Sequence, residues 1–446
     1  MSTLYLVAGL GKTGRSIAGY LKRRCQPFVV FDTRRQVAGL AEFIAEFPGV
    51  EVFLGELPAT IYNQLTGIIL SPGISLDELF LRPALSLDIP IFGDIECLAR
   101  EVKAPIIAIT GTNGKSTVTT LVGEMAKAAG FSVAVAGNIG SPVLDLLDDQ
   151  QDYDLWVLEL SSFQLDLTHS LAAVAATILN ISPDHLDRHH SLEAYIKAKQ
   201  RIYRQAQFLL YNRDDRQTIP DASLVSQTAI ASYSLHEPTA GGWGIIEKNG
   251  VNYLAQGTDC FMAVDKLLIK GKHNWQNALA ASALAAAAGI GFNTIVKTLQ
   301  SFSGLPHRCQ WIRRLNGVDW IDDSKGTNIG ATISAISGIG GSMQGKIVLI
   351  AGGQGKGADF EELRLPVGDY VRSVVLIGED AERIESALSD VVPVLHALSL
   401  DGAVALAKEQ AKPGDVVLLS PACASFDMFR DFNHRGEVYT QLVGKL

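Results

Sequence analysis

Residues 105–117, PIIAITGTNGKST, set an apolar, β-branched run directly against a loop carrying two glycines, a lysine and three hydroxyls. A short continuous apolar run that ends in glycine fits a strand buried on both faces. Strands of that kind belong to parallel sheets with helices packed on either side. The same texture opens the chain, where LYLVAGLGKTG leads a strand into Gly9-x-Gly11-x-x-Gly14, and it restarts at KIVLIAGGQGKG. Between these, PFVVFD, TGIILSPG, YDLWVLELSS, AATILNIS, SVVLIGED and DVVLLSPACASFD are further buried runs separated by helical segments.

This alternation predicts an α/β chain in three parts. They are a Rossmann-like N-terminal domain over 1–95, a P-loop-type parallel-sheet central domain over 96–303, and a Rossmann-like C-terminal domain over 304–446. The length of 446 residues accommodates about three domains. Between about 229 and 270 the texture changes. In WGIIEKNGVNYL, Asn249-Gly250 joins two β-type runs, which predicts a hairpin within a small antiparallel addition. The uncharged stretch Asn274–Val296 is Ala-rich and broken by Gly289 and Gly291. Its apolar centre is too short to cross about 30 Å of hydrocarbon, so it reads as a packed helix and no membrane insertion is expected.

Hydrophobic residues make up 47% and charged residues 19%, enough for sizeable cores and too apolar for wholesale disorder. The net charge of −9 argues against a nucleic-acid or anionic-membrane coat. Five cysteines without a CxxC indicate neither a disulfide framework nor a zinc ribbon. Inert thiols in a reducing cytosol are the expectation. MSTLYLVAGLGKTG has no basic segment before its apolar run and reads as a first strand, not a signal peptide.

The first glycine loop suits a pyrophosphate: glycines allow a tight turn and close backbone approach, and the helix N-terminus favours the anion. Asp32, ending the second strand, stands where it could reach a ribose hydroxyl. A βα turn that binds nothing is the alternative. In the second loop, Gly111, Thr112, Asn113 and Gly114 would cradle phosphates with their N–H groups. Lys115 would reach the terminal phosphates, and Ser116 or Thr117 a Mg²⁺. The spacing is not GxxxxGK[ST], since the first glycine lies only three residues before Gly114.

Glu159 ends the strand LWVLE, where a carboxylate can hold Mg²⁺; a capping or salt-bridging glutamate is the competing reading. Asn180 ends the next strand, and Asp184-His185-Leu186-Asp187-Arg188 follows, a cluster suited to phosphate or metal, or else a solvated loop. SLEAYIKAKQRIY reads as a helix with Ser191 as N-cap. Lys199 falls on its apolar stripe with Leu192, Tyr195, Ile196, Ile202 and Tyr203. A lysine there either snorkels to water or is buried, and a buried one is discharged or carbamylated by CO₂.

Together with GNIG, HNWQN, PHR and DDSKGTN, these motifs resemble the ATP-dependent muramyl-peptide ligases of bacterial peptidoglycan synthesis. GLGKTG and SPACASFD, first and last, point to D-glutamate as the amino acid added. Two positions depart from the family pattern: Gly326 where Ala is usual, and Lys12 where an apolar residue is common. The resemblance implies that Lys12, Thr13, Asp32, Thr33, Arg34, Ser71 and Gly73 hold the UDP part of UDP-N-acetylmuramoyl-L-alanine, with Asn138 contacting substrate and nucleotide. It implies that Lys115, Ser116 and Thr117 hold ATP phosphates and Mg²⁺, and that Asn274 and Asn277 frame the adenine. Arg308 and Asp323 would complete the ATP site. Glu159 and His185 would complete two Mg²⁺ sites, with Lys199 carbamylated. Lys325, Thr327, Lys356, Ser425, Phe426 and Phe432 would receive D-glutamate. On residue type alone, Lys325 and Lys356 read equally as solvated loop charges, and Phe426 and Phe432 as core.

The implied chemistry is amide formation through an acyl phosphate by a cytoplasmic monomer. Lys115, His185, Lys199 and Glu159 would be the catalytic set, and His185 a candidate base for the amine. Two rivals remain at this stage. One is a folylpolyglutamate-synthetase-like ligase, which would not need the first domain. The other is an NAD-binding oxidoreductase with an appended ATPase, supported by GxGxxG and Asp32.

Overall fold

The computed structural model describes residues 3–149, 151–224, 229–341, 343–355 and 357–446. The chain packs as two compact units. The first comprises Met1–Ile245, Ala255–Asp259 and Leu279–Ile295; the second comprises Ile246–Leu254, Cys260–Ala278 and Val296–Leu446.

Within the first unit, five short strands form a parallel sheet: β1 (Tyr5–Ala8), β2 (Phe28–Asp32), β3 (Val52–Leu54), β4 (Gly67–Leu70) and β5 (Ile91–Phe92), in the order 3-2-1-4-5. The order reverses between β1 and β4, so the carboxyl ends of these two strands flank the crevice where such sheets take ligands. Gly9 and Ser71 lie there.

The second sheet is built around β6 (Ile106–Thr110). The strands β7 (Val133–Gly137), β8 (Leu155–Glu159), β9 (Ala175–Ile178), β10 (Phe208–Asn212) and β11 (Ala229–Tyr233) give the order 11-10-9-6-8-7, all parallel. One apolar core runs through both sheets, from Val7, Ile17 and Val30 to Ala108, Leu158 and Tyr203.

The expected antiparallel addition needs one correction. β11 pairs in parallel with β10, and through Tyr233 with Trp243 of β12 (Trp243–Lys248), because the chain crosses over before re-entering the sheet. The antiparallel texture starts only after β12. Asn249 and Gly250, with φ of 53° and 75°, form the expected tight turn before β13 (Val251–Gln256), and β14 (Asp259–Ala263) follows. The Ala-rich stretch forms a helix over Lys272–Ala287, and no helix among the described residues is long and apolar enough to cross a membrane.

In the second unit, β15 (Gln310–Leu315), β16 (Val318–Asp322), β17 (Ile347–Gly352), β18 (Val371–Ile377), β19 (Val394–His396) and β20 (Val416–Leu419) lie in the order 15-16-20-17-18-19. All pairs are parallel except β15 with β16, a hairpin turning at Asn316-Gly317. That antiparallel edge strand was not expected. Apolar residues cover both faces of this sheet.

Candidate active site

The first glycine loop is shaped by contact. A Cβ on Gly14 would lie 1.7 Å from the carbonyl oxygen of Gly9, and one on Gly9 (φ 100°) would lie 2.8 Å from Ser71 Oγ. Glycine at both positions lets the helix Lys12–Arg23 seat directly on β1. Gly11 has open space instead, leaving its backbone accessible to a ligand. Ser71 Oγ is buried beside this loop without a hydrogen-bond partner, the state of a group awaiting one.

Asp32 is held by four hydrogen bonds. Its carboxylate accepts the Leu10 N–H at 2.8 Å and the Arg34 N–H at 2.9 Å, and Arg34 adds two side-chain bonds at 2.7 and 2.8 Å. Burial opposes its ionisation, but the Arg34 and backbone hydrogen bonds outweigh that and hold the carboxyl down at about 2. Asp32 therefore ties β2 to the glycine loop and to Arg34. Arg34 and Thr33 stand exposed beside it, and Thr13 is half-buried in the first helix. Lys12 donates to Gly140 O at 3.1 Å, in the loop that also carries Asn138.

The second glycine loop follows β6 and opens the helix Lys115–Ala128. Lys115 Nζ folds back on Thr112 O at 2.8 Å, with half-buried Ser116 and Thr117 next to it. The loop is braced by residues to which the sequence assigned no such part. Asn180 bonds both the N–H and the carbonyl of Asn113, at 2.8 and 3.0 Å. Thr112 Oγ1 contacts Ser182 O and Tyr195 Oη, both at 3.2 Å. Only the fold brings the end of β9 against this loop; the sole sequence signal was a polar residue ending an apolar strand.

Glu159 is 2% exposed, paired across the sheet with Ile109 of β6. One carboxylate oxygen accepts Asn138 Nδ2 at 2.8 Å, while the other is buried with no partner. It neither caps a helix nor joins an ion pair among the described residues, so both competing readings fail. A buried carboxylate oxygen without a donor suits a cation.

Lys199 does not snorkel. It is 2% exposed, on the helix Leu192–Gln200 that Ser191 caps as expected. Its Nζ donates to Gly111 O at 3.0 Å and Thr110 Oγ1 at 3.2 Å, over the face of Tyr195. Burial first, and the neighbouring Lys115 charge second, bring its pKa down to about 7.

His185 opens a short turn, Leu186–His189, with φ of 50° and a half-exposed ring 3.5 Å from Asp184 and edge-on to Phe163. Arg188, in that turn, reaches the carbonyls of Pro72, Gly73 and Ile74. Among the described residues no three His, Cys, Asp or Glu side chains converge as a metal cage. The single bare oxygen of Glu159 is a fitting protein ligand for Mg²⁺, which keeps waters and takes phosphate oxygens at its other positions.

The second unit carries the remaining predicted residues. Asn274 and Asn277 are buried and bonded to each other at 3.0 Å, and Asn274 also holds Lys270 O. Asp323 accepts Ser420 Oγ at 2.7 Å and the Cys309 N–H at 3.1 Å, and burial raises its pKa to about 6. A Cβ at Gly326 would lie 2.6 Å from that carboxylate, so glycine there lets the loop close over Asp323. Arg308 is exposed just after His307, whose ring bonds Asp322 at 2.7 Å. Lys325 lies over the half-buried ring of Phe432 at 4.7 Å, and Thr327 follows in the same loop. Ser425 is buried, whereas Phe426 is 63% exposed, so the core reading fails for that ring. Lys356 lies outside the described residues. Buried Arg435, unmarked in the sequence, joins Ser324 and Cys423 O and so ties together the loops bearing Lys325 and Ser425.

Three family models match in succession. They are the Mur ligase MurD-like N-terminal domain over 3–93, the Mur ligase middle domain over 109–285, and the Mur ligase glutamate ligase domain over 307–423. The chain is 66% identical to UDP-N-acetylmuramoylalanine--D-glutamate ligase of Legionella pneumophila (strain Paris), covering 99% of each chain. It is 50% identical to the protein of that name in Pseudomonas aeruginosa, covering 99% of this chain and 98% of the other. In fold it resembles a UDP-N-acetylmuramoyl-L-alanyl-D-glutamate--2,6-diaminopimelate ligase, with a TM-score of 0.63 at 20% identity over 100% of this chain and 93% of that one. Three domain models matched in this order, and relatives aligned over nearly the whole chain, around a glycine loop with an unpartnered carboxylate on the neighbouring strand, make this protein a member of the Mur ligase family.

Proposed function

We propose that this chain joins D-glutamate to UDP-N-acetylmuramoyl-L-alanine, consuming ATP and releasing ADP and phosphate, in the synthesis of peptidoglycan precursor. The observation that carries the reading is the buried, unpartnered oxygen of Glu159, one strand away from the glycine loop of Lys115. The names of relatives that align end to end supply the substrates.

In this reading Lys12, Thr13, Asp32, Thr33, Arg34, Ser71, Gly73 and Asn138 hold the UDP-sugar, and Asp32 also keeps their loop in shape through Leu10 and Arg34. Gly111–Gly114 and Lys115 cradle the ATP phosphates, and Asn274, Asn277, Arg308 and Asp323 take the nucleoside. Ser116, Glu159, His185 and a carbamylated Lys199 would hold two Mg²⁺ ions, which when bound offset the repulsion between the phosphate and carboxylate anions. A lysine near neutrality has the free amine that CO₂ requires. Lys325, Thr327, Lys356, Ser425, Phe426 and Phe432 receive D-glutamate.

The alanine carboxylate attacks the γ-phosphorus, ADP departs, and the D-glutamate amine attacks the resulting acyl phosphate with loss of phosphate. Loop amides and Lys115 stabilise charge on the transferring group. A ring bound to Mg²⁺ has no lone pair for a proton, so His185, half-exposed, accepts the amine proton only in the alternative arrangement in which it does not hold the metal. Free cysteines and UDP-linked substrates agree with a reducing cytoplasm, where the protein would act as a monomer.

The test is ADP release by the purified protein with UDP-N-acetylmuramoyl-L-alanine, ATP and Mg²⁺, adding D- or L-glutamate. Release is expected with the D enantiomer. Equal use of both enantiomers, or release without the UDP-sugar, refutes the assignment.

A further inference from the structure

Arg188 has no part in the roles above, yet it makes an unusual set of contacts. Its Nη1 donates to Gly73 O at 3.3 Å, and its Nη2 donates to Pro72 O at 3.3 Å and to Ile74 O. Three successive carbonyls converge on one guanidinium because residues 71–74 form a tight turn, closed by the Ile74 N–H bonding Ser71 O at 3.0 Å. The opposite end of this turn carries the unpartnered Ser71 Oγ. A second contact joins the same two segments: His190 Nε2 lies 2.9 Å from Asp77.

The guanidinium also lies 4.6 Å from the centre of the Phe163 ring. His185 packs edge-on to that ring at 4.9 Å, and His189 stacks on it at 5.4 Å. Phe163 sits in the helix Ser162–Asp166, directly after Glu159-Leu160-Ser161. A continuous path of contacts thus runs from the turn after β4, through Arg188 and Phe163, to His185.

We propose that Arg188 is a positioning residue that straps the 71–77 loop to the 185–190 turn, so that holding the sugar nucleotide and presenting His185 become one event. The proposal rests on the functional reading above for the identity of the ligand. A rigid planar fork holds these carbonyls in fixed directions while its flat face lies over Phe163; an ammonium on a flexible stem has three donors but neither the fixed geometry nor the flat face, so lysine is not an equivalent substitute.

The test uses the full-length enzyme with Arg188→Ala and Arg188→Lys, each with its unfolding midpoint. Both variants should raise KM for UDP-N-acetylmuramoyl-L-alanine and lower kcat by about tenfold, leaving KM for ATP within about twofold. In a His185→Ala background, Arg188→Ala should lower kcat by less than about twofold further, because both changes act through one turn. Values within twofold of wild type, full additivity, or an equal rise in every KM would overturn the strap. If the alanine variant does not fold, the lysine variant carries the test. A readout independent of activity is amide exchange: the 71–77 and 185–190 segments should both exchange faster in the variants, and an unchanged 185–190 segment overturns the proposal. Wild-type protein that forms no ADP with these substrates defeats the functional reading instead, and the exchange result still decides the strap.

Discussion

Three side chains define the chemistry around the second glycine loop, and each sits where burial decides its state. Glu159 keeps one oxygen unpaired, Lys199 is held near neutrality against Gly111 O, and Lys115 lies folded on its own loop. Lys115→Ala should abolish ADP formation, and near-normal turnover would remove its phosphate role. Lys199→Ala should be severely impaired and partly restored by a small carboxylic acid such as acetate or formate; full activity without added acid would sink the carbamate. Asp32 makes a stability prediction. Its folded carboxyl sits at about 2 against 3.8 for the free group, so the ionised form favours the fold. That contribution, about 2 kcal/mol, is complete above about pH 4 and is lost as pH falls through 2. Denaturant unfolding of Asp32→Asn should show a deficit of this size at pH 6 that shrinks by pH 2.5. A constant deficit would mean that shape, not charge, matters there.

At the scale of elements, the strand–loop–helix unit at β1 separates two functions of glycine. Gly14→Ala would drive a methyl into Gly9 O and push the first helix off the sheet, costing about 3 kcal/mol or more. Gly11→Ala meets nothing in the protein, so its unfolding midpoint should stay near wild type while affinity for the UDP-sugar falls. Thermal unfolding and calorimetric binding on the two variants would check both. If Gly11→Ala bound normally, the loop would not approach the ligand. The elements were largely legible, because apolar runs ending in glycine specify buried parallel strands and Asn249-Gly250 specifies a turn. β15 was missed because an edge strand rich in Gln, Trp and Arg has no clear alternation. The pairing of β11 was missed because parallel partners are set by a crossover and leave no mark in local sequence.

For the whole molecule, the continuous core beneath the first two sheets is the deciding feature. Arg24 bridges Glu101 and Asp148, and Ser16 bonds Asp145 at 2.7 Å, so polar contacts reinforce it. Removing residues 1–95 should therefore abolish ligation and also destabilise the central sheet, by exposing Leu98, Leu144 and their neighbours. Calorimetry of the intact chain should show these two sheets melting together. An active, well-folded truncation would instead favour a ligase that does not need the first sheet.

The sequence by itself determined the parallel sheets, the glycine loops and the place of Lys199 on an apolar helix stripe, because periodicity and residue type act locally along the chain; that Lys199 is buried and does not snorkel was decided by packing. It also carried the motifs by which the family is known. Only the tertiary structure decided which polar groups meet. Asp32 braces the first glycine loop through Leu10 and Arg34, Glu159 kept one oxygen bare, and Asn180, Arg188 and Arg435 became supports for loops far away in sequence. Hydrogen-bond partners are fixed by how segments pack against one another, and no local pattern records that.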